Sequence, residues 1–184
     1  MSDAESNAIL WVMIAIFVIA FIYKVIQGYL SAESRDEQTW LNEMDSVSPF
    51  DFERFVARLF AAAGFVNVSV TQSSGDYGAD VLMRSGDGEK ICIQCKKYSK
   101  KVGVSSVQEI AAAKAYYGCD VAAVATNSYF TENAIRLARS NNVLLFDRDS
   151  LKRLIRLVCE EREKKEKAKI KENKKAQKRA KKGK

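Results

Sequence analysis

Histidine is absent from all 184 residues. That absence removes the Ser-His-Asp triad, histidine-based nuclease sites and every His-containing zinc site. General acid–base work is left to carboxylates, lysine or a metal-bound water. Proline occurs once, at Pro49, and cysteine four times, as Cys92, Cys95, Cys119 and Cys159. Only Cys92 and Cys95 form a C-x-x-C pair, and no second pair completes a thiolate zinc site. Both lie in a strand-like run, where neighbours three apart point to opposite faces. All four are therefore expected as buried free thiols, which suits a reducing compartment. The glycines of SGDYG lack the G-x-x-x-x-G-K-[ST] spacing of a nucleotide-binding loop. There is no internal repeat.

Charge is uneven. Of the net +7, residues 160–184 carry 13 Lys and Arg against 5 Asp and Glu, a net of +8. The rest of the chain then holds 17 basic and 18 acidic residues and is near neutral. Any argument from net charge is an argument about this tail. At the other end, no charged residue occurs from Ser6 to Tyr23, and the apolar run continues past Lys24 as VIQGYL. About 20 apolar residues cross a bilayer core, and Lys24 can snorkel to the interface. A cleaved signal peptide would open with positive charge, whereas this segment opens with Asp3 and Glu5. A retained single-pass anchor is the expectation. Lys24 and Arg35, both C-terminal to the run, put the bulk of the protein in the cytoplasm by the positive-inside rule.

Residues 31–47 are polar and mixed in charge and read as a linker. At Ser48 a helix begins, with Ser48 as N-cap, Pro49 at N1 and Asp51 in the first turn. Phe52, Phe55, Val56, Leu59, Phe60 and Ala63 recur at helical spacing, and Gly64 ends the run. Strands are expected over 66–71, 79–84 and 90–96, the last two joined by a Ser-Gly-Asp-Gly turn. A helix over 106–118, a buried strand over 120–126, a helix over 131–142, a strand over 143–146 and a helix over 149–158 follow. Hairpins first and crossover helices later imply an α/β fold, with a mixed central sheet between two helical layers. Glu160–Lys164, Glu161–Lys165 and Glu163–Lys167 are i,i+4 pairs in the favourable order. They extend the last helix into solvent, with fraying expected after Ile170.

The third strand, KICIQCK, breaks its own apolar pattern. Ile91, Ile93 and Cys95 face one way, and Cys92, Gln94 and Lys96 the other. If the preceding turn centres on Gly86 to Gly88, Asp80 falls beside Gln94 on the antiparallel neighbour. A carboxylate, an amide and an ammonium then meet at one end of a hairpin, where Asp80 and Lys96 are expected to face solvent. Asp80 and Gln94 offer two hard oxygens and the Cys95 carbonyl a third, a set that suits Mg²⁺. Lys96 can orient water or stabilise charge on a phosphate. The plainer alternative is a strand-end salt bridge between Asp80 and Lys96. Asp76 and Asp87 read as turn residues.

The segments FDFERFVARLFAAAGFVNVSVTQSSGDYGADVLM, ICIQCKKY and VQEI, in this order, resemble the catalytic domain of Mrr-type restriction endonucleases, of the PD-(D/E)xK nuclease superfamily. The likeness spans about residues 48–155. It implies a restriction-endonuclease-like three-layer domain and hydrolysis of DNA phosphodiesters with Mg²⁺, or Mn²⁺ in its place. Matched position by position, Asp80 is the metal-binding aspartate, and Gln94 stands for the acidic member of the motif and shares the metal. Lys96 is the catalytic lysine, and Glu53 is the helical glutamate near a second metal or its water. Gln108 occupies a position that is often polar in the family. The replacement of an acid by Gln94 removes one negative charge from the site. Many such nucleases cut duplex DNA as homodimers.

The expected organisation is a transmembrane anchor over 1–30, with 8–30 in the bilayer, then a linker over 31–47. A nuclease domain over 48–158 and a basic tail over 159–184 complete it. The tail reads as a solvated charged helix that aids solubility, or as a contact for DNA or for anionic lipid. The competing reading is a non-catalytic nucleic-acid-binding or membrane-scaffold module on the same fold.

Overall fold

The computed structural model describes residues 36–71 and 77–182, with Ile19 and Phe21 besides. The chain divides into two compact units, Met1–Gln38 and Thr39–Lys184. The expected anchor, 8–30, lies outside the described residues apart from those two positions, and so does Asp76. No helix among the described residues is long and apolar enough to cross a membrane.

The second unit is built on five strands: β1 (Val66–Val70), β2 (Val81–Arg84), β3 (Lys90–Lys96), β4 (Val121–Thr126) and β5 (Val143–Phe146). They lie side by side in sequence order. β1, β2 and β3 pair antiparallel, and β3, β4 and β5 pair parallel. The order follows from the connections. A tight turn at Ser85–Glu89 folds β2 back on β3. The parallel pairs are joined by the crossover helices α3 (Val104–Tyr116) and α4 (Glu132–Ser140). β1 carries a register shift between Val66 and Ser69, with Asn67 at φ 53°.

Two cores flank the sheet. One packs α2 (Pro49–Ala62) and the start of α5 (Arg148–Lys182) on Val81, Met83, Ile91, Ile93, Cys95, Ala123 and Ala125. The other packs α3 and α4 on Cys92, Ala122, Val124 and Val143. The sheet is therefore the middle of three layers, as the alternation of apolar residues in β3 requires. Cys92 and Cys95 fall in different cores, and all four cysteines are free and buried.

The start of α2 is as the sequence predicts. The Ser48 hydroxyl accepts from the Asp51 N–H at 3.2 Å, and Pro49 fills the first turn where its missing N–H costs nothing. Gly64, at φ +100°, ends the helix region, and the Phe65 N–H reaches back to the Phe60 carbonyl at 3.1 Å. Within the stretch read as a linker, residues 36–46 are helical (α1). Met44 is buried against α2, with Trp40, Leu41 and Val47 beside it. A bidentate pair joins Asp45 to Arg148, with both N–O distances 2.6 Å.

α5 corrects the expected fraying after Ile170: it runs unbroken to Lys182. Leu151, Ile155, Val158 and Cys159 bury its first part. Beyond them it holds Glu163–Lys167 at 2.7 Å and Glu161–Lys164 at 2.8 Å, an i,i+4 and an i,i+3 pair.

Candidate active site

The hairpin register sets the site. Val81 pairs with Ile93, so Asp80, one residue earlier, comes level with Gln94. Its backbone is fixed on both sides: its N–H donates to the Ile93 carbonyl at 2.8 Å, and its carbonyl accepts from the Thr71 N–H at 2.9 Å. The Asp80 side chain turns inward. Oδ2 accepts from the Cys95 N–H at 2.6 Å and from Gln94 Nε2. Asp80 is 5% exposed and Gln94 4%. This corrects the expectation that Asp80 faces solvent at a strand end. The parallel strand β4 covers the far side of β3, and α2 closes over the hairpin.

With its amide nitrogen committed to Asp80, Gln94 leaves Oε1 with no hydrogen-bond partner. It is the one such buried side-chain N or O among the described residues. An unsatisfied buried acceptor costs about 1–3 kcal/mol, so its persistence calls for an explanation.

Lys96 projects from the same face of β3, two residues on. The expected alternative, an ion pair with Asp80, is not what forms. Lys96 Nζ instead meets Glu109 Oε2 on α3 at 2.9 Å. Burial works to lower the Lys96 pKa. The Glu109 hydrogen bond and charge, with the Asp80 carboxylate behind them, outweigh it and hold the ammonium above its ordinary value. Lys96 is thus a fixed positive charge near neutral pH and not a proton acceptor.

Glu109 escapes a reading of the sequence, which favours its neighbour Gln108. Gln108 is exposed and does not reach the site. The apolar positions Val107, Ile110 and Ala113 point α3 at the sheet and leave Glu109 beside them on the site's rim. Gly78 fixes how closely the helix approaches. It sits at φ +91°, and a Cβ there would stand 3.1 Å from the Glu109 carbonyl oxygen.

Asp80, Gln94, Lys96 and Glu109 open on a cleft of about 460 Å³, together with Glu53 from α2 and Lys97 and Tyr98 beyond β3. The four expected residues Glu53, Asp80, Gln94 and Lys96 therefore share one cavity. The thiols take no part. Burial first, then the Asp80 and Glu53 carboxylates, push the Cys95 thiol well up, and burial with the neighbouring Cys119 pushes Cys92 up to about 12. Among the described residues no three His, Cys, Asp or Glu side chains converge as a metal cluster. An ion here would draw on amide and backbone oxygens as well as Asp80.

The restriction endonuclease family Mrr_cat matches residues 44–155, the span that carries every residue of this cleft. The chain belongs to this family. Among solved structures, this Mrr_cat chain is similar to the DNA modification-dependent restriction endonuclease AspBHI, with 18% identity and a TM-score of 0.51 over 66% of this chain and 35% of AspBHI. It is also similar to AF1548, a protein of unknown function, at 22% identity and a TM-score of 0.48 over 54% and 58% of the two chains. The MspJI restriction endonuclease in complex with a 27-mer oligonucleotide aligns at 20% identity and a TM-score of 0.46, over 68% of this chain and 31% of MspJI. The Mrr_cat chain thus spans less than two thirds of each of these proteins. At such identities the AspBHI likeness bears on the fold. No curated protein matches the chain.

Proposed function

We propose that this chain is a divalent-metal-dependent DNA endonuclease, tethered to a membrane through residues 8–30. The observation that carries the nuclease reading is the buried Gln94 Oε1. It lacks a donor and shares a cleft with the Asp80 carboxylate and the Lys96 ammonium. A cation is the partner such an acceptor wants. Asp80, Gln94 Oε1 and the Cys95 carbonyl make an all-oxygen set, which suits Mg²⁺ or Mn²⁺, and the Cys95 thiol beside them is held protonated. A divalent cation there would neutralise phosphate charge and acidify its water enough for attack near neutral pH.

The chain's own residues supply the rest. Asp80, anchored by the Cys95 N–H, and Gln94 would hold the ion. Lys96 would hold positive charge against the phosphate oxygens, where charge grows as the phosphodiester breaks. Glu109 would keep that ammonium charged and aimed. Glu53, across the cleft, would hold a second ion or the attacking water. Cutting both strands of a duplex calls for two copies of the site, so the reading includes a homodimer on DNA.

The anchor reading is supported by the uncharged run from Ser6 to Tyr23, and the cytoplasmic placement by Lys24 and Arg35. The tail's net +8 supports contact with a polyanion, DNA or anionic lipid. The test of the enzyme is direct. The purified full chain is incubated with supercoiled plasmid in Mg²⁺, in Mn²⁺ and in chelator. Nicked or linear product in metal alone is expected. Unaltered plasmid with both ions would contradict the reading.

A further inference from the structure

The segment leaving β3 reads KKYSKK, residues 96–101: four lysines, one tyrosine and no acid, in a domain that is otherwise near neutral. We infer that residues 97–101 form the surface on which a DNA backbone lies as it enters the cleft. The inference rests on the nuclease reading for its choice of polyanion.

Three observations support it. First, the segment is continuous with the site, because Lys97 and Tyr98 line the same cleft as Asp80 and Lys96. Second, the loop is held by its backbone. The Tyr98 N–H donates to Oδ1 of the buried Asn127 at 2.9 Å. The Val102 N–H donates to the Tyr129 carbonyl at 2.8 Å, and the Val102 carbonyl accepts from the Thr131 N–H at 3.0 Å. Lys97 is itself tied to the fold, its Nζ donating to the Asp45 carbonyl at 3.1 Å, but these backbone bonds leave Tyr98, Lys100 and Lys101 outside the framework, so presenting them costs little further ordering. Third, those side chains face solvent: Tyr98 is 49% exposed, and Lys100 and Lys101 are exposed. Asp147 and Lys101 line one surface pocket of about 470 Å³, and the Asp147 carboxylate caps α5 through the Ser150 N–H at 2.8 Å.

The residue types also fix the kind of contact. Lysine offers a point charge, suited to phosphate oxygens and not to bidentate reading of a base edge. No arginine, asparagine or glutamine lies in 97–101. The loop therefore positions the duplex without selecting a sequence, and the Tyr98 ring beside it suits stacking on a base or sugar.

The test uses the full chain and one duplex in chelator, so that no turnover intervenes. Binding is measured across a salt series for wild type, for Lys100→Gln with Lys101→Gln, and for Lys174→Gln with Lys175→Gln in the tail. The loop pair should bind more weakly, with the slope of log affinity against log salt shallower by about 0.9 for each phosphate that is no longer neutralised. It should flatten the slope more than the tail pair does. A wild-type slope in the loop pair overturns the inference. Flattening by the tail pair as large as by the loop pair overturns it too, since any two lysines would then serve. Cleavage of plasmid in Mg²⁺ is followed on the same proteins. Binding that depends on the loop in a protein that never cuts would remove the nuclease reading and leave the loop's role standing.

Discussion

Gln94 puts a neutral amide where a second carboxylate would bring more charge to a divalent ion. Gln94→Glu should therefore bind Mg²⁺ more tightly than wild type. The metal-free variant should be less stable, because two buried carboxylates would then face each other. Thermal melts with and without Mg²⁺ check both halves: a lower Tm in chelator and a larger rise with metal. Asp80 has a structural share as well. Replacing it with alanine strips an acceptor from the Cys95 N–H and from Gln94, so Asp80→Ala should lose about 1–3 kcal/mol in urea unfolding. Glu109→Gln leaves Lys96 without its charge partner. It should lower kcat about 10-fold to 100-fold, the usual effect of losing a group that orients a site residue, with KM little changed. A KM effect alone would assign Glu109 to DNA binding instead. Asp80, Gln94 and Lys96 are legible in the sequence because strand alternation and a short hairpin bring them together by local rules. Glu109 is not. It lies 13 positions beyond Lys96 on a helix, and their meeting depends on how α3 docks over the parallel strands.

The helices divide by what they bury. α2 and the first part of α5 hold the sheet from one side, so Ile155→Ala should cost about 2–5 kcal/mol. Beyond Arg162, α5 is solvated and touches no core, so truncation there should leave the unfolding free energy almost unchanged, and urea melts of the two forms check the contrast. The join between α1 and α5 is electrostatic and should show in pH. The Arg148 hydrogen bond to Asp45, ahead of the opposing effect of burial, holds the Asp45 carboxyl below its ordinary range. A depressed acid stabilises the fold above its unfolded pKa, near 4, and that stability is lost as pH falls through the folded value. Wild type should therefore be more stable than Asp45→Asn at pH 6, and the gap should shrink as pH falls below the ordinary carboxylate range and through the depressed folded value. Most element boundaries are readable from period, caps and turn residues, and β3 and β5 fall on the residues expected. The extent of α5 is underestimated, because its far half has no apolar face to read. Two Glu–Lys pairs, Glu161–Lys164 and Glu163–Lys167, support its middle, and past Lys167 a single acid, Glu172, stands among the lysines, so local charge order does not mark where the helix ends.

For the molecule as a whole, the anchor and the nuclease are separate claims. The anchor reading predicts that full-length protein sediments with membranes and resists high salt and carbonate. Recovery in the soluble fraction would remove it without touching the cleft. The central claim is that Asp80, Gln94 and Lys96 make one metal-dependent phosphodiesterase site. Asp80→Asn tests it most directly, because the amide keeps the size and one acceptor of the carboxylate while removing its charge. The rate of plasmid cleavage in Mg²⁺ is measured at saturating DNA for wild type, Asp80→Asn and Lys96→Met, with folding of each confirmed by its melt. Wild type should cut, and neither folded variant should. Cleavage by both variants at the wild-type rate would contradict the central claim.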